Sequence, residues 1–170
     1  MRALILAAAL LAATVHVQTV RAQTVLIEES VLGFSVPLGE RRVEGRFETW
    51  SAMIDGEAGR IEVTVEIGSA TTGDALIDAV MLGEGWLAAR AHPRGTFRSE
   101  IVVEGEAGGT ASGVLSVAGE DLPLDVAIRA VAPHRYEARA SIDRRMLGIG
   151  PDGPPVGPTV EIGALVTVAP

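Results

Sequence analysis

The sequence predicts an all-β fold, and three observations predict it: apolar and polar residues alternate with a period of two in about eight segments, turn-forming residues separate them, and only one stretch carries helical spacing. The clearest alternation is Ile61-Glu62-Val63-Thr64-Val65-Glu66-Ile67, the pattern of a strand with one face buried and one wet. Tyr136 to Asp143 repeats it. Phe97 to Glu104, Leu124 to Arg129 and Val160 to Val168 follow less cleanly, and Ser30 to Val36, Val43 to Ile54 and Gly113 to Val117 are strand-like with weaker patterning.

Between these segments lie Pro37-Leu38-Gly39, Asp55-Gly56, Gly105 to Gly109, Gly119-Glu120-Asp121 and Ala132-Pro133, all composed as turns. The spacing predicts sequential antiparallel hairpins closing as a barrel or a sandwich. From Asp74 to Leu82 the rhythm changes: Leu76, Ile77, Val80 and Met81 recur at helical spacing, Thr71 or Thr72 is placed to cap the start and Gly83 to end it. A single helix of about two turns is expected there. Gly150 to Pro158 holds too much Gly and Pro for a helix or a central strand and is expected to be a surface loop.

The N-terminal stretch reads differently. Arg2, an apolar run from Ala3 to Ala13, and Val20-Arg21-Ala22 ahead of Gln23 compose a secretory signal peptide over residues 1–22. Its apolar run is too short for a membrane span of about 20 residues. The expected domain is then 23–170, with no membrane span in the mature chain. The full sequence has 170 residues, 22 acidic and 14 basic side chains and a charge of −8. Removing residues 1–22 takes two of the arginines and no acid, so the mature charge becomes −10. Such a balance argues against nucleic acid, whose phosphates need clustered positive charge.

Every basic residue is arginine, and cysteine, lysine and asparagine are absent, a bias that reads as a GC-rich coding sequence. No cysteine means no disulfide, no thiol nucleophile and no cysteine zinc site. A secreted, cysteine-free chain of this composition is expected in a bacterial periplasm.

Eight strands close a barrel just wide enough to be filled by side chains or to hold one small ligand. Aromatic residues are only 4% of the sequence, and the inward candidates Val63, Val65, Val126, Ala138, Ala140 and Ala164 are small. Such side chains fill a wide barrel poorly, which favours an elongated apolar cavity, although the same residues also pack a sandwich. An outer-membrane barrel needs girdles of Trp and Tyr, and this sequence has two Trp and one Tyr.

Catalysis and metals find little support. His92 and His134, the histidines outside the signal segment, show no metal-ligand spacing, and neither a metal nor a cofactor is expected. Ser35, Ser69, Ser99, Ser112 and Ser141 lie in strand or turn patterns without a nucleophile elbow. Glu62 and Glu66 fall on the solvent side of their strand, and no helix follows the glycines of 105–113 to cradle phosphate. The reading is non-enzymatic.

Several motifs, in order, carry a family resemblance. They are Ser30-Val31-Leu32-Gly33-Phe34-Ser35-Val36 with Val43-Glu44-Gly45-Arg46-Phe47; Ser69-Ala70-Thr71-Thr72-Gly73 with Asp78 and Leu82; Trp86-Leu87; and His92-Pro93 before Thr96-Phe97-Arg98-Ser99. Gly113 to Gly119 with Leu122-Pro123-Leu124, and Ile142-Asp143-Arg144-Arg145-Met146-Leu147-Gly148-Ile149-Gly150, complete the set. From about Thr24 to Val168 the chain resembles the YceI-like family of secreted, lipocalin-like proteins. Glu29, Ile77, Met146 and Leu147 depart from that family's usual histidine, arginine, acidic and aromatic residues, so its head-group recognition does not transfer.

The resemblance implies an antiparallel eight-stranded lipocalin-like barrel that carries or scavenges an amphiphilic polyisoprenoid, quinone-like or fatty-acyl chain. It also implies, as partner, a membrane b-type cytochrome or another envelope component. The candidate ligand contacts are Phe34, Phe47, Leu76, Val80, Met81, Trp86, Leu87, Phe97, Leu115 and Leu147. Arg90, Arg94, Arg144 and Arg145 are candidates for a head group, because arginine forks suit oxygen acceptors, with a structural ion pair to Asp78 or Asp143 the favoured reading for Arg144. The rival to a carrier is an envelope-stress or interaction module whose barrel is filled, and a secreted hydrolase stands behind both.

Overall fold

A computed structural model describes residues 22–55, 58–105, 108–153 and 155–170. The expected signal segment lies outside these residues except for Ala22. One antiparallel sheet contains β1 (Ala22–Thr24), β2 (Val31–Leu38), β3 (Arg41–Phe47), β4 (Trp50–Asp55), β5 (Arg60–Glu66), β6 (Ala70–Thr71), β7 (Arg94–Gly105), β8 (Gly108–Val117), β9 (Glu120–Ala132), β10 (Arg135–Asp143) and β11 (Thr159–Thr167). Helix α1 spans Ala75–Met81, and short 3-10 turns occupy Ile27–Glu29, Ile67–Ser69 and Arg144–Leu147.

Eleven strands stand where eight are expected. The stretch read as one strand from Val43 to Ile54 breaks at Glu48 and Thr49 into β3 and β4, and β1 and β6, three and two residues long, are too short to show a period. The pairings nevertheless follow eight staves. β2 lies beside β3 and β1 beside β4, so β1 and β2 flank one side of the bent β3–β4 stave, and β6 and β5 flank the other. Each stave then pairs with the next in sequence, and β11 returns to β2 through Glu161–Ser35 and Leu165–Val31. The sheet curls into a lipocalin-like barrel.

The two ends of the barrel differ. One gathers the turn at Gly39 and Glu40, the turn at Ala118 and Gly119, the connection through α1, and the loop from Gly148 to Pro158. The other carries the connections that join β4 to β5, β7 to β8 and β9 to β10, together with β1 and the 3-10 turn Ile27–Glu29.

At the first end the staves also part: β10 pairs with β9 only from Arg135 to Arg139. Residues Glu120–Val126 of β9 therefore have no ladder partner on that side, and Pro123, which lacks an N–H, sits in this released stretch. Leu122 of β9, Ile142 of β10, and Leu147 and Ile149 beyond it form one buried cluster here. Side-chain packing replaces the missing backbone ladder.

Helix α1 starts differently from the expectation. Asp74 is its N-cap, accepting from the N–H of Leu76 at 2.9 Å and of Ile77 at 3.3 Å. Thr71 and Thr72 instead donate their hydroxyls to Asp78, both at 2.7 Å. The threonines belong to the strand-to-helix turn and hold the helix from its side.

Candidate functional site

The barrel encloses a cavity of about 570 Å³. Its wall is built by alternation. Tyr136, Ala138, Ala140 and Ile142 of β10 face it, as do Val160, Ile162, Ala164 and Val166 of β11, Leu124, Val126, Ile128 and Ala130 of β9, and Ile61, Val63 and Val65 of β5. From Tyr136 to Ile142 the wall runs roughly 20 Å along one strand, long enough for an extended chain. Among the described residues the charged ones lining it are Asp55, Arg60, Arg139 and Arg144.

Two close approaches shape this wall. Gly45 leaves room for the ring of Phe34, which otherwise strikes a β-carbon there, and Phe34 then packs on Phe47 with ring centres 5.5 Å apart. Gly150, with φ of +70°, lies against Trp86, where an added β-carbon comes within 2.7 Å of the indole. Its N–H donates to the Gly85 carbonyl at 2.7 Å, so the 148–158 loop rests on the segment after α1. The Gly150 contacts with Trp86 and Gly85 lay the loop over the first end of the barrel.

Of the candidate contacts, Phe34, Phe47, Met81, Trp86, Leu87, Phe97, Leu115 and Leu147 all line the cavity. Leu76 and Val80 do not; they are 81% and 57% exposed. The physical reason is a choice between two adjacent i, i+4 rows of a two-turn helix. Ile77 and Met81 form the row turned inward, and Leu76 and Val80 the row turned out.

Of the head-group candidates, Arg90, Arg94 and Arg145 lie outside this cavity, and Arg144 lines it. Arg90 is exposed. Arg94 lines a separate, more polar recess with His92, and its Nε donates to Glu66 at 3.0 Å. Arg145 forms a fork on Asp143, Nη2 to Oδ2 at 2.6 Å and Nε to Oδ1 at 2.9 Å. Those donors hold the Asp143 carboxyl down at about 2.

Arg144 is the arginine whose surroundings the sequence conceals. It is 2% exposed and, contrary to the expected ion pair, forms no salt bridge with a carboxylate of the described residues. Its guanidinium donates to the carbonyls of Gly157 at 3.0 Å, Ile149 at 2.7 Å and Val156 at 2.9 Å, and stands 5.5 Å from the centre of the Trp86 ring. It ties the loop to the cap. Asp78 is instead held by Thr72 and Thr71, whose hydroxyls, with the Thr72 N–H, keep its carboxyl below the usual carboxylate range.

The opposite end has its own charges, paired locally. Arg60 reaches Asp55 at 3.5 Å, and Arg139 and Arg129 both reach Glu137, whose carboxyl is lowered chiefly by the Arg139 hydrogen bond. The serines weighed for hydrolysis are engaged elsewhere: Ser99 accepts from the Ile61 N–H, Ser112 donates to Asp125, Ser141 to Glu161, Ser69 to the Glu66 carbonyl, and Ser35 accepts from Arg42. No histidine is a partner in any of these bonds. Among the described residues no three His, Asp or Glu side chains gather as a metal site, and no helix is long and apolar enough to cross a membrane.

The model of the YceI-like domain family matches residues 23–168. No curated protein matches the chain. Among solved structures, BcnA of Burkholderia cenocepacia is similar at 21% identity with a TM-score of 0.72, over 86% of this chain and 99% of that one. A polyisoprenoid binding domain from Saccharophagus degradans, implicated in plant cell wall breakdown, is similar at 14% identity and a TM-score of 0.60, over 88% and 98%. The YceI protein of Campylobacter jejuni follows at 20% identity and a TM-score of 0.66, over 78% and 88%. These likenesses extend to the fold.

Proposed function

The chain belongs to the YceI-like family over residues 23–168, and on that premise we propose that it is a non-catalytic periplasmic carrier or scavenger of one apolar chain, polyisoprenoid, quinone-like or fatty-acyl. The observation that carries this reading is the apolar cavity of about 570 Å³ running the length of the barrel. That size falls in the usual range of about 300–1,000 Å³ for small-molecule sites. A module with a filled barrel does not have such a space, which favours the carrier over the interaction module.

The driving force is burial. Each methylene taken from water is worth about 0.8 kcal/mol, so ten of them supply about 8 kcal/mol before the costs of ordering the chain. The polyisoprenoid binding named for the Saccharophagus degradans domain supports an isoprenoid among the ligand classes. The periplasmic location rests on the signal-like composition of residues 1–22. A membrane b-type cytochrome or other envelope partner rests on the family resemblance alone.

Native mass spectrometry of protein purified from the periplasm tests both parts. The expected polypeptide begins at or near Gln23 and carries a lipid that organic solvent releases. An intact Met1 terminus overturns the location. Lipid-free protein that binds neither prenols nor fatty acids overturns the carrier.

A further inference from the structure

The cavity holds one buried charge that no carboxylate of the described residues contacts. Arg144 lines it at the capped end, beside Trp86, Leu147 and Val156. Among the described residues lining the cavity, the one acid is Asp55, at the opposite end. The neighbouring carboxylate, Asp143, is already taken by both arms of the Arg145 fork.

Backbone carbonyls satisfy one N–H on each of the three Arg144 nitrogens. A guanidinium has five such groups, so among the described residues two are left for other acceptors. The carbonyls and the Trp86 face orient and polarise the group, yet they bring no negative charge, and a desolvated cation without one is costly. The other two arginines lining the cavity differ in this respect: Arg60 is bridged to Asp55 and Arg139 to Glu137, and both are largely exposed.

Resting on the reading of an apolar-chain ligand, we infer that Arg144 is the head-group site: the cavity takes an amphiphile with an anionic oxygen head, bound head first, its oxygens on the free N–H groups and its tail toward the uncapped end. The charge-assisted hydrogen bonds supply what burial of methylenes does not, a preference among chains of equal length. The wall of Val, Ile and Ala sets how much chain is buried, and Arg144 sets which terminus goes in.

The test compares farnesoic acid with farnesol, which share a chain and differ at the head, by titration of lipid-free protein at neutral pH. The acid is expected to bind about tenfold more tightly or better, the effect of a charged hydrogen bond in a dry site. Lowering the pH until the acid protonates is expected to erase the difference, and Arg144→Met is expected to erase it while farnesol binding persists. Equal affinity for acid and alcohol in the native protein overturns the inference and leaves the carrier standing, whether or not the variant folds. Failure of both probes, and of longer prenols and fatty acids, overturns the carrier itself.

Discussion

The two ends of this barrel use the same strands for opposite purposes. At the capped end Leu122, Ile142, Leu147 and Ile149 pack into a buried cluster, Arg144 pins three loop carbonyls, and Gly150 lets Trp86 lie flat beneath the loop. Toward the other end Gly108, Gly109 and Ala130 alternate along the wall with Ile54, Ile61, Ile128, Tyr136 and Val166, and the cavity stays open between them. The buried cluster sits where the β9 and β10 staves part, and the other end is held by the backbone ladder.

That contrast is broken most directly by filling the cavity. Ala138→Trp, in the middle of the β10 wall, is expected to weaken binding of any apolar chain by at least about tenfold, while the melting temperature holds or rises as void is replaced by contacts. Titration with a fluorescent fatty acid and a thermal melt read both quantities. Unchanged affinity shows that the ligand does not run along β10.

A smaller effect is expected at the cap. Gly150→Ala places a β-carbon against the Trp86 indole at a backbone angle that favours glycine, a cost of about 1–3 kcal/mol in a denaturant melt. Hydrogen exchange is expected to rise in the 148–158 loop more than in the hairpins at the other end. A uniform change along the barrel removes the distinction between the ends.

The smallest effect is electrostatic. Asp143 has a folded-state carboxyl at about 2 against an ordinary aspartate value of 3.8, so its contribution is complete above the ordinary value and is lost as the pH falls from there through about 2. Asp78, also lowered, acts in the same direction at the same end. An acid melt of Asp143→Asn is expected to be shallower over that window than that of the native protein. Identical pH dependence shows that the Arg145 fork contributes nothing to folding.

Much of the wall was legible in the primary structure, because alternation has one period and one inward face. Val63, Val65, Val126, Ala138, Ala140 and Ala164 all line the cavity as their strand positions predict. The breaks in the staves were not, since a three-residue β1 and a two-residue β6 are defined by partners far away in sequence rather than by a pattern of their own. Nor was the inward row of α1. Leu76 with Val80 and Ile77 with Met81 are equally apolar rows, and helical spacing does not choose between them.

Arg144 illustrates a third kind of loss. In a run of Asp143-Arg144-Arg145 either arginine can claim the acid, and periodicity is silent on which one turns inward. The structure gives the acid to Arg145 and the loop carbonyls to Arg144. A signal was present in Gly150 to Pro158, whose composition frees a stretch of carbonyls from any ladder and so leaves them in need of a donor.

The return of β11 to β2 bears on how the molecule comes into being. Every other pairing between neighbouring staves joins consecutive parts of the chain, whereas this seam joins residues such as Thr167 and Ser30, 137 positions apart. Contacts so distant in sequence carry the largest loop-closure entropy, which places the seam among the last events of folding. Until it forms, the apolar wall is one side of an open, curling ribbon. The interior is therefore made and enclosed in the same step.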